Sequence, residues 1–350
     1  MKTTDFSYTL PPHLIADQPP KKRGASRLLV LDKLSGALTD QQYSDIPTYI
    51  AAGDVVVLND TKVIPARLQT HKKSNQAVRE LILVEKHGAS DNWHVHKVLY
   101  RKRLSIDDIL IATDGSQLKV TEIIGDGIAL ISSPVDLLEL AMRTGSVPLP
   151  PYMHRAATEA DRERYQTVWA TQAGSVAAPT ASLNMTEETL AAIRQRGAHI
   201  VYATLHVGLG TFLPIRVENI DEHVMHKEYF EIPAATIAAI QVAKANQKRI
   251  VAIGTTITRT LEFAAELILN EPPQQLTGEA DIFMYPGYSF KIVDSLLTNF
   301  HAPDSTVLML AAAFAGWDKL LQAYEHAIQQ NYAFLSYGDS MFIAAGVVES

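Results

Sequence analysis

Cysteine is absent from all 350 residues. That absence excludes a disulfide framework, thiolate-ligated zinc, an iron–sulfur cluster and a catalytic thiol. Long apolar runs are missing too. The longest, 306–317, falls short of the roughly 18 residues that a membrane-spanning helix needs. The opening Met1-Lys2-Thr3-Thr4-Asp5 lacks the apolar core of a secretory signal, so the expectation is a cytoplasmic protein with no membrane partner. Positive charge is in short supply: 31 Lys and Arg stand against 38 Asp and Glu, a net −7. Over the whole chain this argues against a nucleic-acid partner, since phosphate binding runs on Lys and Arg. What remains, 47% hydrophobic and 20% charged, is the mixture of a folded chain of about two domains.

The order of apolar segments divides the chain. Its first sixty residues read as an extended arm, a strand at 28–31, a turn at Ser35-Gly36 and a short helix at 45–52 closed by Gly53. Val55-Val56-Val57-Leu58 is a strand buried on both faces, and it opens into Asn59-Asp60-Thr61. Polar residues at the C-terminal end of a buried parallel strand suit a ligand crevice. From 63 to 131 the helical period disappears. Short β segments at 80–85, 93–98, 109–111, 118–120 and 128–131 alternate with turn signals such as Asp114-Gly115 and Asp126-Gly127. That spacing predicts a small barrel or sandwich, with Pro148, Pro150 and Pro151 at its exit.

Beyond about residue 180 helices and strands alternate. The reading is a helix from Thr186 to Gly197, a strand at 199–205, a helix from Pro233 to 245, and a strand at 249–253. Then follow a helix to about 269, a strand at 282–285, and helices at 305–314 and 317–330. The expected architecture is an α/β body, residues 1–61 and 151–350, interrupted by an all-β, barrel-like domain at 62–150.

Charge sharpens that division. Between Lys62 and Ile106 ten cations face three anions, a local +7, so the remainder of the chain carries −14. A charge run is usually a solvated face. This one is confined to one small β unit, and phosphate contact is a fair second reading.

Several motifs invite chemistry. Gly208-Leu209-Gly210-Thr211-Phe212 resembles a dinucleotide loop, but the third glycine is missing and Pro214 stands where a helix would open. Gly254-Thr255-Thr256 is better placed, between a strand and a helix whose first turns carry Arg259, where unpaired amides accept a carboxylate or phosphate. Glu222-His223-Val224-Met225-His226-Lys227-Glu228 offers two histidines three apart, a spacing that favours acid–base work over a zincin-type metal site. The small residues from Gly174 to Thr180 allow a backbone to approach a ligand or another backbone. Tyr285-Pro286-Gly287-Tyr288 and Tyr337-Gly338-Asp339 are aromatic turns, suited to packing or to base stacking.

Taken together these segments resemble the S-adenosylmethionine:tRNA ribosyltransferase-isomerase family of queuosine biosynthesis. The similarity runs nearly end to end. It includes Ser26-Arg27-Leu28-Leu29, Asn59-Asp60-Thr61, Pro148-Leu149-Pro150-Pro151-Tyr152, 174–181, His206-Val207-Gly208, Gly254-Thr255-Thr256, Thr298-Asn299-Phe300-His301 and Ser336-Tyr337-Gly338-Asp339. The fold implied, an α/β domain with an inserted β-barrel, agrees with the pattern above. The implied reaction moves the ribosyl part of S-adenosylmethionine to the aminomethyl nitrogen of a 7-deazaguanine at the tRNA wobble position. Epoxyqueuosine forms, and adenine and methionine are released. The sulfonium acidifies C5′, a base takes its proton, adenine leaves, the amine adds to the exposed sugar carbon, and epoxide closure ejects methionine. S-adenosylmethionine is a co-substrate, and no cofactor or metal is implied.

On this resemblance, His206, His223, His226 and Glu228 are candidates for proton transfer. Thr255, Thr256 and Arg259 would hold the methionine carboxylate. Tyr285, Tyr288 and Tyr337 would stack a base, with Asn59, Asn299, His301 and Asp339 as hydrogen-bonding substrate contacts. Arg23, Arg27, Arg67, Arg101, Lys102 and Arg103 would meet tRNA phosphates, and the chain would act as a monomer. One departure stands out. Where the family usually reads Gly-Leu-His-Phe-Thr, this chain has Ser182-Leu183-Asn184-Met185-Thr186, and an asparagine cannot titrate near neutral pH. The alternatives are a divergent member with altered or lost ribosyl transfer, a non-catalytic RNA-binding module, and a metal hydrolase built on His223 and His226.

Overall fold

A computed structural model of the chain describes residues 1–87, 92–208, 215 and 217–346. Strand β1 (Arg27–Asp32) pairs antiparallel with β2 (Leu38–Gln42). A 3-10 helix at Tyr43–Tyr49 leads to β3 (Val55–Asn59) and the short β4 (Thr61–Val63). The α-helical turn expected at 45–52 is replaced because Pro47 lies inside it and has no amide hydrogen for an i to i−4 ladder.

Six strands follow: β5 (Arg67–Lys72), β6 (Val78–Leu83), β7 (Val95–Tyr100), β8 (Ile109–Ala112), β9 (Gln117–Gly125) and β10 (Ile128–Ser132). They close in the order β10-β7-β6-β5-β8-β9, every pairing antiparallel. Closure leaves no unpaired strand edge. Along β9 the alternation of Leu118 and Val120, buried, with Gln117, Lys119 and Thr121, exposed, turns one face to the lumen. Helix α1 (Leu137–Thr144), capped by Asp136 on the Glu139 amide at 2.9 Å, packs Leu137, Leu140 and Ala141 into the same core as Leu68, Leu81 and Val98.

The rest of the chain supplies α2 (Glu159–Arg164), β11 (Gln172–Ser175), α3 (Glu187–Gln195), β12 (His199–Leu205), β13 (Glu228–Ile232) and α4 (Ala234–Ala245). Then come β14 (Ile250–Ile253), α5 (Thr255–Phe263), α6 (Ala265–Asn270), β15 (Leu276–Ala280), β16 (Ser295–Asn299), α7 (Thr306–Ala315), α8 (Trp317–Gln329) and β17 (Ser340–Ala344). Nine strands form one mixed sheet in the order β15-β13-β12-β3-β14-β16-β17-β1-β2. The α/β body with an inserted barrel is therefore the fold observed.

The doubly buried run of β3 has a simple cause. Val55 and Val57 enter one core with Ile237, Ile240, Leu261 and Leu308 of α4, α5 and α7, while Val56 and Leu58 enter another with Ile46, Leu190 and Ile193. Successive side chains of a strand point to opposite faces, so a strand between two cores must be apolar throughout. A second expectation fails. Ile282-Phe283-Met284-Tyr285 is not a strand; the neighbouring Leu276–Ala280 takes the open edge of β13, leaving 282–285 with no strand to join. Among the described residues no helix is long and apolar enough to cross a membrane.

Candidate active site

Strands β12, β3, β14 and β16 lie side by side and run parallel. Their C-terminal ends bring His206, Asn59, Gly254-Thr255-Thr256 and Asn299 to one edge of the sheet. The chain leaves β3 for one neighbour, β12, and returns on the other side as β14. Such a reversal opens a crevice at the C-terminal ends of the strands. A pocket lies over this edge, lined by Thr255, Thr256, Thr298, Asn299, His301 and Ser336. Tyr152, Ser305 and the small residues Ala178-Pro179-Thr180-Ala181 complete much of its wall.

Asn59 organises the floor. Its amide nitrogen donates to the Leu205 carbonyl at 3.1 Å and to Thr256 Oγ1 at 3.3 Å, and its Oδ1 accepts from the Thr61 and Leu205 amides at 3.1 and 3.2 Å. It ties three strand ends together and stands behind the pocket, not in its lining. Asn299 is different. Its nitrogen donates to the Asp339 carbonyl at 3.3 Å, but its Oδ1, on a side chain 1% exposed, is buried without a hydrogen-bond partner among the described residues. A buried acceptor left unpaired is costly unless a ligand fills it. Beside it α5 opens at Gly254, whose φ of 96° favours glycine, with the first amides of the helix at the pocket wall.

Two histidines belong to this edge. His301 accepts or donates a hydrogen bond with Thr298 Oγ1 at 2.7 Å, and burial lowers its imidazole to about 3, so it is neutral at physiological pH. His206 is 3% exposed and stands, like Asn59, behind the pocket lining, one residue before the lining Val207, with Nδ1 2.8 Å from Thr61 Oγ1 and its ring stacked on Tyr229. Burial first, then the neighbouring Lys86 and His87, lowers it to about 4. His206 is accordingly an uncharged imidazole, able to accept a proton but not preloaded with one.

The other sequence candidates are placed elsewhere. His223 packs edge-on against Phe283 and His226 is exposed, on an irregular segment between a 3-10 turn at Ile220–Glu222 and β13. Neither lines the pocket. Glu228 and Arg259 are bonded to each other in a buried ion pair, with Glu228 Oε1 also accepting from the Gly208 amide at 2.9 Å. The guanidinium also donates to the Ala280 carbonyl at 3.3 Å, while its buried Nε has no hydrogen-bond partner among the described residues. Tyr285 and Tyr288 pack on Phe283 and Phe290, and the Tyr288 hydroxyl donates to Glu262 at 3.2 Å. The Tyr337 hydroxyl donates to Asp161 at 2.8 Å, and its ring meets Tyr165 edge-on. Asp339 braces its turn by accepting from the Arg27 and Ala333 amides at 2.6 and 2.8 Å. Asn184 donates to the Gly338 carbonyl at 3.1 Å, supporting the same turn.

The six basic candidates divide evenly. Arg23 donates to the carbonyls of Gln166, Leu183 and Glu163; Arg27 lies 3.6 Å over the Tyr332 ring and binds Asp40; Arg67 pairs with Glu80 at 2.7 Å. Arg101, Lys102 and Arg103 are exposed on the barrel. Most of the Gly208–Phe212 motif, residues 209–212, lies outside the described residues. Among the described residues no cluster of three metal-ligating side chains occurs.

Sequence reading did not single out Tyr152, Thr298, Ser305 or Ser336 as site residues, because hydroxyls carry no spacing signature of their own; Thr180 lay in the small-residue run marked for close approach to a ligand. It also missed the barrel's reach into the body. After β6, the Lys86 amide donates to the Gly174 carbonyl at 2.9 Å. His87 lies between Glu85 at 3.3 Å and Glu279 of β15 at 3.1 Å.

Comparison with known proteins adds a family. A model of queuosine biosynthesis proteins matches residues 3–343. A protein of Pelodictyon phaeoclathratiforme named S-adenosylmethionine:tRNA ribosyltransferase-isomerase is 52% identical over 349 residues, covering 98% of this chain and all of the relative. A protein of Geotalea uraniireducens with the same name is 47% identical at the same coverage. A crystal structure of S-adenosylmethionine tRNA ribosyltransferase from Thermotoga maritima matches with a TM-score of 0.56 and 31% identity, over 97% of this chain and 99% of that one.

Proposed function

The chain belongs to the family of queuosine biosynthesis proteins, and from that membership we propose that it is an S-adenosylmethionine:tRNA ribosyltransferase-isomerase. In this reading it transfers and isomerises the ribosyl moiety of S-adenosylmethionine onto the aminomethyl group of 7-aminomethyl-7-deazaguanine at the tRNA wobble position. Epoxyqueuosine-tRNA, adenine and methionine are the products.

The observation that carries the assignment to this crevice is the unpartnered, buried Oδ1 of Asn299 beside the opening amides of α5. S-adenosylmethionine is a zwitterionic amino acid joined to a nucleoside. The α5 amides at Thr255 and Thr256 suit its carboxylate, since the helix terminus offers donors and a positive dipole end. Asn299 Oδ1 suits an exocyclic amine such as that of adenine. Arg259, paired with Glu228, is left out of substrate binding, and the wall supplies hydroxyls in place of charge.

His206 takes the C5′ proton in this scheme. A neutral imidazole is the required form, and its burial beside Lys86 and His87 maintains it. Adenine leaves carrying a proton, the aminomethyl nitrogen adds to the exposed sugar carbon and releases one, and epoxide closure ejects methionine. Arg101, Lys102 and Arg103 on the barrel meet tRNA phosphates, which makes 62–150 the domain that receives RNA and 1–61 with 151–350 the catalytic domain. A tRNA substrate supports the cytoplasm as its location, and no cofactor enters the scheme.

The test is direct. Incubated with S-adenosylmethionine and tRNA carrying the aminomethyl-deazaguanine, the protein releases adenine in step with epoxyqueuosine formation. Adenine no higher than in an enzyme-free control would sink the reading.

A further inference from the structure

The segment 85–87 leaves the barrel and lands on the α/β body where His206 is buried. A Cβ built on Gly174 would lie 2.8 Å from both Cε1 and Nε2 of His206 and 2.9 Å from Cβ of Lys86. The histidine edge and the Lys86 side chain therefore close on the same glycine from two domains. Next in the chain, His87 is clasped by carboxylates on both ring nitrogens, Glu85 on the barrel side and Glu279 on the body side. Glu85 itself is 8% exposed and abuts Gly208, two residues past His206.

We propose that the barrel supplies part of the catalytic machinery. Lys86 and His87 are positioning residues that act through their positive charge on His206, holding it as a proton acceptor. This rests on the reading of His206 as the base. A cation next to an imidazole disfavours a second positive charge there, whereas a carboxylate next to His87 favours one. The arrangement separates the two histidines in just that sense. Bonding to Glu85 raises His87, and Lys86 and His87 add to the burial that lowers His206. Among the described residues, the other charged or titratable groups near His206 include Tyr229, stacked on its ring from β13, Asp60, bonded to Thr204 at 2.6 Å, and the Glu228–Arg259 pair at Gly208.

The test uses the full-length protein and two readouts. Imidazole NMR signals of His206, assigned by their loss in His206→Gln, are followed from pH 8 to about pH 3.5, alongside the pH dependence of kcat/KM for adenine release. Lys86→Met keeps the aliphatic stem and removes the charge; Lys86→Arg restores it. His87→Gln removes the imidazole whose protonated form Glu85 and Glu279 favour, at a more exposed position, and guards against one variant misfolding. The expected result is that Lys86→Met and His87→Gln move the His206 midpoint upward by about half a unit to one unit. The acidic limb of kcat/KM moves with it, and Lys86→Arg behaves as wild type. An unmoved His206 midpoint in both variants overturns the proposal even if activity falls, since a purely structural role would do that. A midpoint that moves while the kcat/KM profile stays fixed overturns instead the assignment of His206 as the base.

Discussion

Thr61 Oγ1 stands 2.8 Å from Nδ1 of His206, with both side chains buried. Thr61 opens β4 just beyond β3 and His206 follows the last residue of β12, so the exits of two parallel neighbours fix the orientation of a single imidazole. For Nε2 to accept a proton, Nδ1 must carry the ring hydrogen and donate it to Thr61, whose own hydroxyl then turns toward the Gln172 carbonyl at 3.5 Å.

Thr61→Val removes that acceptor at nearly constant volume and frees the tautomer. The expected outcome is a fall in kcat for adenine release of about tenfold or more. The KM for S-adenosylmethionine changes little, and Thr61→Ser retains most of the rate. Steady-state kinetics of the two variants decide the matter, because an equal loss in both would point to packing.

Asn299→Leu replaces the unpartnered acceptor with an apolar side chain of similar size. Titration calorimetry should show S-adenosylmethionine binding weakened by about tenfold, the consequence of leaving a polar ligand group unpaired. Unchanged affinity would place Oδ1 outside the binding site.

Asp161 tests the support of the pocket wall. Burial alone would raise its carboxyl, but Arg155 through two bonds at 2.7 and 2.8 Å, Thr158 and the Tyr337 hydroxyl together hold it well below the ordinary carboxylate range. A depressed folded-state value stabilises the protein above the unfolded value of about 3.9 and is lost as the pH falls beneath it. Asp161→Asn should therefore cost about 2–4 kcal/mol in urea unfolding at pH 7. The gap from wild type should narrow progressively below about pH 4.

Replacing Arg101, Lys102 and Arg103 together by Ala should weaken tRNA binding uniformly. It should also reduce the slope of log affinity against log salt by about 2–3, one step per lost phosphate contact. S-adenosylmethionine affinity is expected to hold. An unchanged salt slope would move the RNA surface elsewhere on the protein.

Much of this was legible in the linear chain because periodicity survives folding. The β3 run declared a strand between two cores, the turn-punctuated stretch from 63 to 131 declared a closed β unit, and local charge separated that unit from the acidic body. Two strand ends were equally readable: Asn59 and Gly254-Thr255-Thr256 each follow an apolar run read as a strand, whereas β16, which brings Asn299 beside them, was not read from the sequence. Side-chain commitments were not readable. Arg259 looked like a carboxylate clamp until Glu228, thirty-one positions earlier, was found against it. Tyr337 looked like a stacking platform until Asp161 took its hydroxyl.

The amino-acid sequence alone determined the α/β body, the inserted barrel and the chemistries that a chain without cysteine cannot perform, because those follow from residue type and short-range spacing. Only the tertiary structure decided which polar groups are spent on the protein and which remain for a ligand. Hydrogen bonds and ion pairs between distant residues depend on three-dimensional distance, and no local pattern encodes that. The contact of Lys86 and His87 with the neighbourhood of His206 is of this kind: it exists because a barrel inserted after β4 folds back over the strand end that precedes Val207.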